Sequence, residues 1–138
     1  MRIVLLAAGL LLASAPAFAA GPIEGEWLTP DGGSKVRIGA CPGKPEQVCG
    51  VVSWLPAAQA KDLDAKNPKA ALRSRPILGA PTVLGFKPAA PGKWTGGKLY
   101  DPASGKTYDG KLSLGANGVL KVEGCVVMVC QAQTWKRS

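Results

Sequence analysis

Apolar and polar residues alternate along most of this chain with a period of two, and short runs rich in Gly and Pro cut the alternation. That combination dictates short strands joined by turns, because successive side chains of a strand point to opposite faces. Helical spacing is nearly absent. Gly25-Glu26-Trp27-Leu28 opens a first strand, and Pro30-Asp31-Gly32-Gly33 is a turn run that no strand interior would carry. Ser34–Ile38 places Val36 and Ile38 on one face. Cys49–Leu55 carries Val51 and Leu55 on one face and Val52 and Trp54 on the other, so both of its faces are expected to be partly covered. Further strands are expected over Thr82–Phe86, Gly96–Tyr100, Lys106–Leu114, Leu120–Cys125 and Gln131–Lys136. Asp101-Pro102-Ala103-Ser104-Gly105 and Ala116-Asn117-Gly118 supply tight turns between them.

These segments predict an all-β fold, a small antiparallel up-and-down barrel of about eight strands, since closure removes edges on which other chains could pair. A sandwich is the alternative. The one long excursion, Pro56–Pro81, exceeds a hairpin loop and is expected to be functional, partly helical or mobile. Within it Asn67 suits an N-cap and Pro68 a first helical position, with Lys69–Arg73 as a short helical turn stopped by Pro76. Such a segment could lie over one end of the barrel.

Residues 1–19 read as an export signal, with Arg2 as the positive region, Ile3–Leu12 as the apolar region and Ala17-Phe18-Ala19 as the small-x-small cleavage pattern. The apolar run is short of the roughly 20 residues that span a bilayer. Cleavage near Ala19 leaves residues 20–138 as one domain in the periplasm or outside the cell. Loss of Arg2 leaves 16 basic residues against 9 acidic ones, a net +7. In an envelope such a charge favours lipid headgroups or anionic glycans rather than nucleic acid.

An oxidising compartment gives the four cysteines a structural use. Three pairings are open to Cys41, Cys49, Cys125 and Cys130. Two local staples, Cys41–Cys49 and Cys125–Cys130, are preferred because residues facing across a hairpin lie within disulfide reach, and a bridge from Cys41 to the later couple stays open. Neither spacing is that of a redox or zinc motif, and the chain has no histidine, so no metal and no cofactor is expected. The second couple encloses Val126-Val127-Met128-Val129, a tip without a turn residue. Either the strand runs on through these residues with a bulge, or folds them into the core, or they form an apolar tip offered to a membrane, a lipid or a partner.

Leu72-Arg73-Ser74-Arg75-Pro76-Ile77-Leu78-Gly79, Gly85-Phe86-Lys87, Trp94–Pro102, Gly105-Lys106-Thr107-Tyr108, Gly124-Cys125 and Gln133-Thr134-Trp135 resemble, in order, the bacterial family catalogued as domain of unknown function 2147. The resemblance covers the whole mature chain and implies an exported envelope protein, with no activity to carry over. Gly25-x-Trp27 with the late Arg137 is similar to the signature of lipocalin-like barrels, in which the arginine packs over the tryptophan and closes one end.

An enzyme is not expected. Tyr100, Asp101, Lys106 and Tyr108 form the only compact polar cluster, and a turn aspartate bonding its own backbone accounts for Asp101. Ser74 has no histidine to activate it. Arg73 and Arg75 suit either a bidentate grip on a carboxylate or phosphate, or loop fastening. The function expected is binding of a small, partly apolar molecule at the barrel mouth or the long loop, with Trp54, Trp94 and Tyr100 lining the site and Arg73 or Arg75 meeting an acidic end. The alternative is a structural or interaction module touching envelope lipid or glycan through its outer surface. An internal cavity separates the two. Oligomeric state is not readable from the residues.

Overall fold

Nine strands carry the alternation in the computed structural model of the chain, which describes residue 9 and residues 19–138. The expected leader lies outside the described residues apart from positions 9 and 19. The strands are β1 (Gly25–Leu28), β2 (Lys35–Cys41), β3 (Lys44–Trp54), β4 (Pro81–Ala90), β5 (Lys93–Thr95), β6 (Lys98–Asp101), β7 (Lys106–Leu114), β8 (Leu120–Val126) and β9 (Val129–Arg137). All pair antiparallel, in the order β3-β2-β1-β9-β8-β7-β5-β4, and β4 returns to pair with β3, so the sheet closes into a ring. β5 and β6 follow one another between β4 and β7. They share one position in the ring, which therefore has eight staves. The expected strand at Gly96–Tyr100 is thus the second half of a stave broken at Gly96, whose φ is 78°.

Both disulfides join the preferred partners, Cys41 with Cys49 and Cys125 with Cys130, at Cα separations of 4.8 and 4.0 Å. The first does not bracket an open loop. β2 ends at Cys41, which pairs with Lys44 across a two-residue turn at Pro42-Gly43, and a bulge over residues 45–47 of β3 separates that pair from Ala40 and Val48. In the long excursion the expected helix shrinks to one 3-10 turn, Ala70–Leu72, whose N-cap is Lys69 rather than the expected Asn67; no side chain caps the turn, and Asn67 Oδ1 instead accepts from the Lys69 amide at 2.9 Å.

Large inward side chains crowd one end of the barrel. Ile23, Trp27, Ile38, Val48, Phe86, Trp94, Leu112 and Leu120 are buried there together with Ala20. A 3-10 turn at Gly21–Ile23 crosses beneath them. The Trp27 indole donates to the Ile23 carbonyl at 2.9 Å, and the Arg137 guanidinium lies 4.0 Å above the Trp27 ring while donating to the carbonyls of Glu24 and Pro22. Gly25, at φ 127°, makes room for that guanidinium: a Cβ there would lie 3.1 Å from Nη1. This end is closed.

Phe86 fits because the neighbouring strands carry glycine beneath its ring. A Cβ at Gly110 would fall 2.5 Å from Phe86 Cζ and 3.0 Å from Leu99 Cγ, whereas one at Gly39 would meet nothing within 4 Å. Gly110→Ala should therefore lower the unfolding free energy in urea by about 1–3 kcal/mol, the cost of overpacking. Gly39→Ala should stay within about 0.5 kcal/mol of the natural protein. Equal effects from the two would overturn this account of the Phe86 seat.

Candidate functional site

Toward the other end the inward positions carry smaller or more polar side chains, and the barrel is hollow. The cavity has a volume of about 820 Å³. Val36, Val52, Leu99, Val122 and Trp135 line it, and Val36, Val122 and Trp135 belong equally to the packed cluster, so the top of the core is the cavity floor. Cross-strand register explains the wall of β8 and β9: Trp135 faces Leu120, Gln133 faces Val122 and Gln131 faces Gly124. The same alternation that fills the closed end with Trp and Leu thus brings Gln and Gly to the open one. Gln133 Oε1 accepts from the Trp135 indole at 3.2 Å and sets that ring's orientation.

Thr82, near the start of β4, is a buried lining residue whose hydroxyl has no hydrogen-bond partner, although it is only 8 % exposed. A polar group in that state costs free energy until something bonds to it. Around the mouth stand Thr29, Asp31 and Ser34 from the β1–β2 connection, Gln59, Asp62 and Ile77 from the long excursion, and Tyr100–Ala103 from β6 and its turn.

A buried carboxylate holds the excursion in place. Asp64 is fully buried and accepts three side-chain bonds, from the Tyr100 hydroxyl at 2.5 Å, from Asn67 Nδ2 at 2.9 Å and from Arg75 Nε at 2.9 Å. Burial alone would raise its pKa. The bonds from Tyr100, Asn67 and Arg75, with the Arg75 charge, outweigh that and hold Asp64 below its ordinary 3.8. Burial first, and then the bond to Asp64 and its charge, push the Tyr100 hydroxyl up to about 12, so it stays a donor. Backbone ties complete the anchor: Asp64 and Ile77 amides donate to the carbonyls of Arg75 and Asp62, the Gly79 amide donates to the Val52 carbonyl, the Val52 amide donates to the Ala80 carbonyl, and Lys66 Nζ reaches the Ala103 carbonyl at 2.9 Å.

The expected ligand contacts are redistributed by these neighbours. Tyr100 lines the cavity. Arg75 is bound to Asp64 and lies 5.8 Å from the Tyr100 ring, and Arg73 donates to the carbonyls of Asn67 and Pro68, so both arginines fasten the loop. Trp94 is buried at the closed end with its indole on the Ala19 carbonyl at 2.7 Å. Trp54 is 40 % exposed on the outer surface beneath Lys35. Of these five residues only Tyr100 lines the cavity. Thr82, Gln133 and Trp135 line it without having been expected there; Trp135 stood in the sequence as part of a motif, but nothing local to it reports its height along the barrel.

The Cys125–Cys130 hairpin turns through Val127 and Met128, each 91 % exposed, with Val126 and Val129 largely exposed beside them. The tip enters neither the core nor a bulge. Val127 takes φ 55°, a conformation that a β-branched residue rarely adopts. Asp101 accepts from the Ala103 amide and from Ser104 Oγ, as a turn aspartate does. Among the described residues, no three His, Cys, Asp or Glu are gathered in a way that could hold a metal ion.

An antiparallel ring plugged by a tryptophan under an arginine, and hollow at its other end, defines a lipocalin-like barrel. The Helicobacter pylori protein HP1028, described as belonging to the lipocalin family, superposes with a TM-score of 0.74 over 83 % of this chain and 82 % of its own, at 21 % identity. The profile of the family described as "Uncharacterized protein conserved in bacteria (DUF2147)" matches residues 25–137, and the chain belongs to that family. Among curated proteins no sequence match is found.

The Asp64 anchor has a signed pH dependence. Because its pKa is lowered by folding, its contribution is complete above the unfolded value and is lost as pH falls through the lower folded value. Urea unfolding of Asp64→Asn should show lower stability than the natural protein at pH 7 and a gap that narrows below about pH 4. Tyr100→Phe should cost about 1.5–3 kcal/mol, the range for a bond to a charged group. Parallel pH profiles for Asp64→Asn and the natural protein would contradict the assignment.

Proposed function

We propose that this protein is an exported envelope protein that binds a small, partly apolar molecule inside its barrel. The observation that carries the reading is the cavity of about 820 Å³ with the unpartnered Thr82 hydroxyl in its wall. Its size lies within the roughly 300–1,000 Å³ of small-molecule sites, and an apolar lining with a few polar groups is what such sites have. The lipocalin-like fold supports binding as the mode of action, as does the commitment of Arg73, Arg75, Asp64 and Asp101 to holding the loop and turn. Two disulfides in a bacterial protein, together with the leader pattern of residues 1–19, support export to the periplasm. The lipocalin-like fold is what favours reading the protein as a binder rather than an enzyme.

Native mass spectrometry of the mature protein should show a co-purifying small molecule, and the neutral fluorophore N-phenyl-1-naphthylamine should brighten on binding. Val122→Phe, which fills the floor, should weaken fluorophore binding at least tenfold. Thr82→Val should raise the stability of the empty protein by about 1 kcal/mol, because it removes an unsatisfied buried hydroxyl, while loosening the hold on the co-purifying molecule. Absence of adducts and of fluorophore binding would overturn the reading.

The hairpin tip favours a second reading, contact with envelope lipid through the outer surface. Four apolar residues stand exposed beyond a disulfide, and the net charge of +8 over the whole sequence favours an anionic bilayer. Met128→Asp should leave the thermal midpoint unchanged and reduce co-sedimentation with phosphatidylglycerol-containing vesicles several-fold. Equal sedimentation of the two proteins would remove this reading.

A further inference from the structure

The chain is basic, yet every ionised group lining the cavity is acidic. Asp31, Asp62 and Asp101 line the mouth, and no lysine or arginine lines the cavity at all, in a sequence with 17 basic and 9 acidic residues. Among the described residues, the carboxylates of Asp31 and Asp62 take part in no ion pair and accept no side-chain hydrogen bond. Asp101 accepts bonds from its own turn, from the Ala103 amide and Ser104 Oγ. Two cations of the long excursion are engaged elsewhere: Arg75 pairs with the buried Asp64, and Lys66 donates to the Ala103 carbonyl. Thr82, another residue of the cavity lining, carries a buried hydroxyl without a hydrogen-bond partner.

From this arrangement, and resting on the cavity reading above, we infer that the ligand is an amphiphile with a cationic, amine-bearing end. Its apolar body lies on Val36, Val52, Val122 and Trp135, and its cationic end sits at the mouth between Asp31 and Asp62. A carboxylate end would meet like charge on both sides with no guanidinium free to receive it. The inference runs opposite to the field of the molecule as a whole, since a net positive protein attracts anions at long range. Local and global charge therefore predict opposite orders of affinity.

Displacement of N-phenyl-1-naphthylamine at pH 7 and low salt by decylamine, decan-1-ol and decanoate reads that order. Decylamine should bind at least tenfold tighter than decanoate, with decan-1-ol between them, and the span should shrink as salt is raised. The double variant Asp31→Asn/Asp62→Asn should bring decylamine down to the affinity of decan-1-ol. Decanoate binding as tightly as decylamine, or an amine preference that survives in the double variant, would overturn the inference while leaving the cavity reading intact. Failure of the fluorophore and all three compounds to bind would overturn both.

Discussion

Eight staves set the width of a barrel, and how inward side chains are distributed along its axis decides whether that width is core or container. In this protein the large residues are gathered at one end. Trp27, Phe86, Trp94, Leu112 and Leu120 fill it, and Phe86 reaches its depth only because Gly97 and Gly110 leave their faces bare. With so much volume used at one end, Val, Gly and Gln at the other leave a cavity behind. The β3–β4 pairing that closes the ring is what converts this gradient of side-chain size into an enclosed space.

The mouth is organised by a charge rather than by apolar packing. Asp64 is buried in a loop that otherwise buries little, and an unpartnered carboxylate there would be costly. Tyr100, Asn67 and Arg75 compensate it and thereby tie the excursion to β6. A network of this kind specifies one loop position, because any other leaves the carboxylate unsatisfied. It also removes Arg75 from the set of groups able to meet a ligand, so the charge presented at the mouth is that of Asp31, Asp62 and Asp101.

The two disulfides serve different local geometries. Cys41–Cys49 spans a bulge beside a two-residue hairpin turn, while Cys125–Cys130 joins directly paired residues and leaves a two-residue apolar turn outside. A valine at φ 55° in a turn that ordinarily favours Gly or Asn is a local conflict, and conflicts of this kind concentrate where surface rather than stability is used.

Local chemistry made much of the fold legible in the residues. Period-two alternation identified most strands, Asn117-Gly118 and Asp101–Gly105 their turns, the close-spaced cysteines their staples, and Gly25-x-Trp27 with Arg137 the closed end, because each is a short-range pattern. The site was largely illegible. Alternation says which face a side chain takes but not its height along the barrel, which depends on stave tilt and register summed around the ring. Trp94 and Trp135 both alternate inward, and only the closed structure sends the first to the plug and the second to the cavity. Likewise Arg75 carries the same guanidinium whether it meets a ligand or a buried aspartate. The residues alone pointed to a stapled barrel of about eight strands, with a sandwich and another cysteine pairing still open. Tertiary structure decided where it is hollow and which charges face the hollow, since both arise from contacts between residues far apart in the chain.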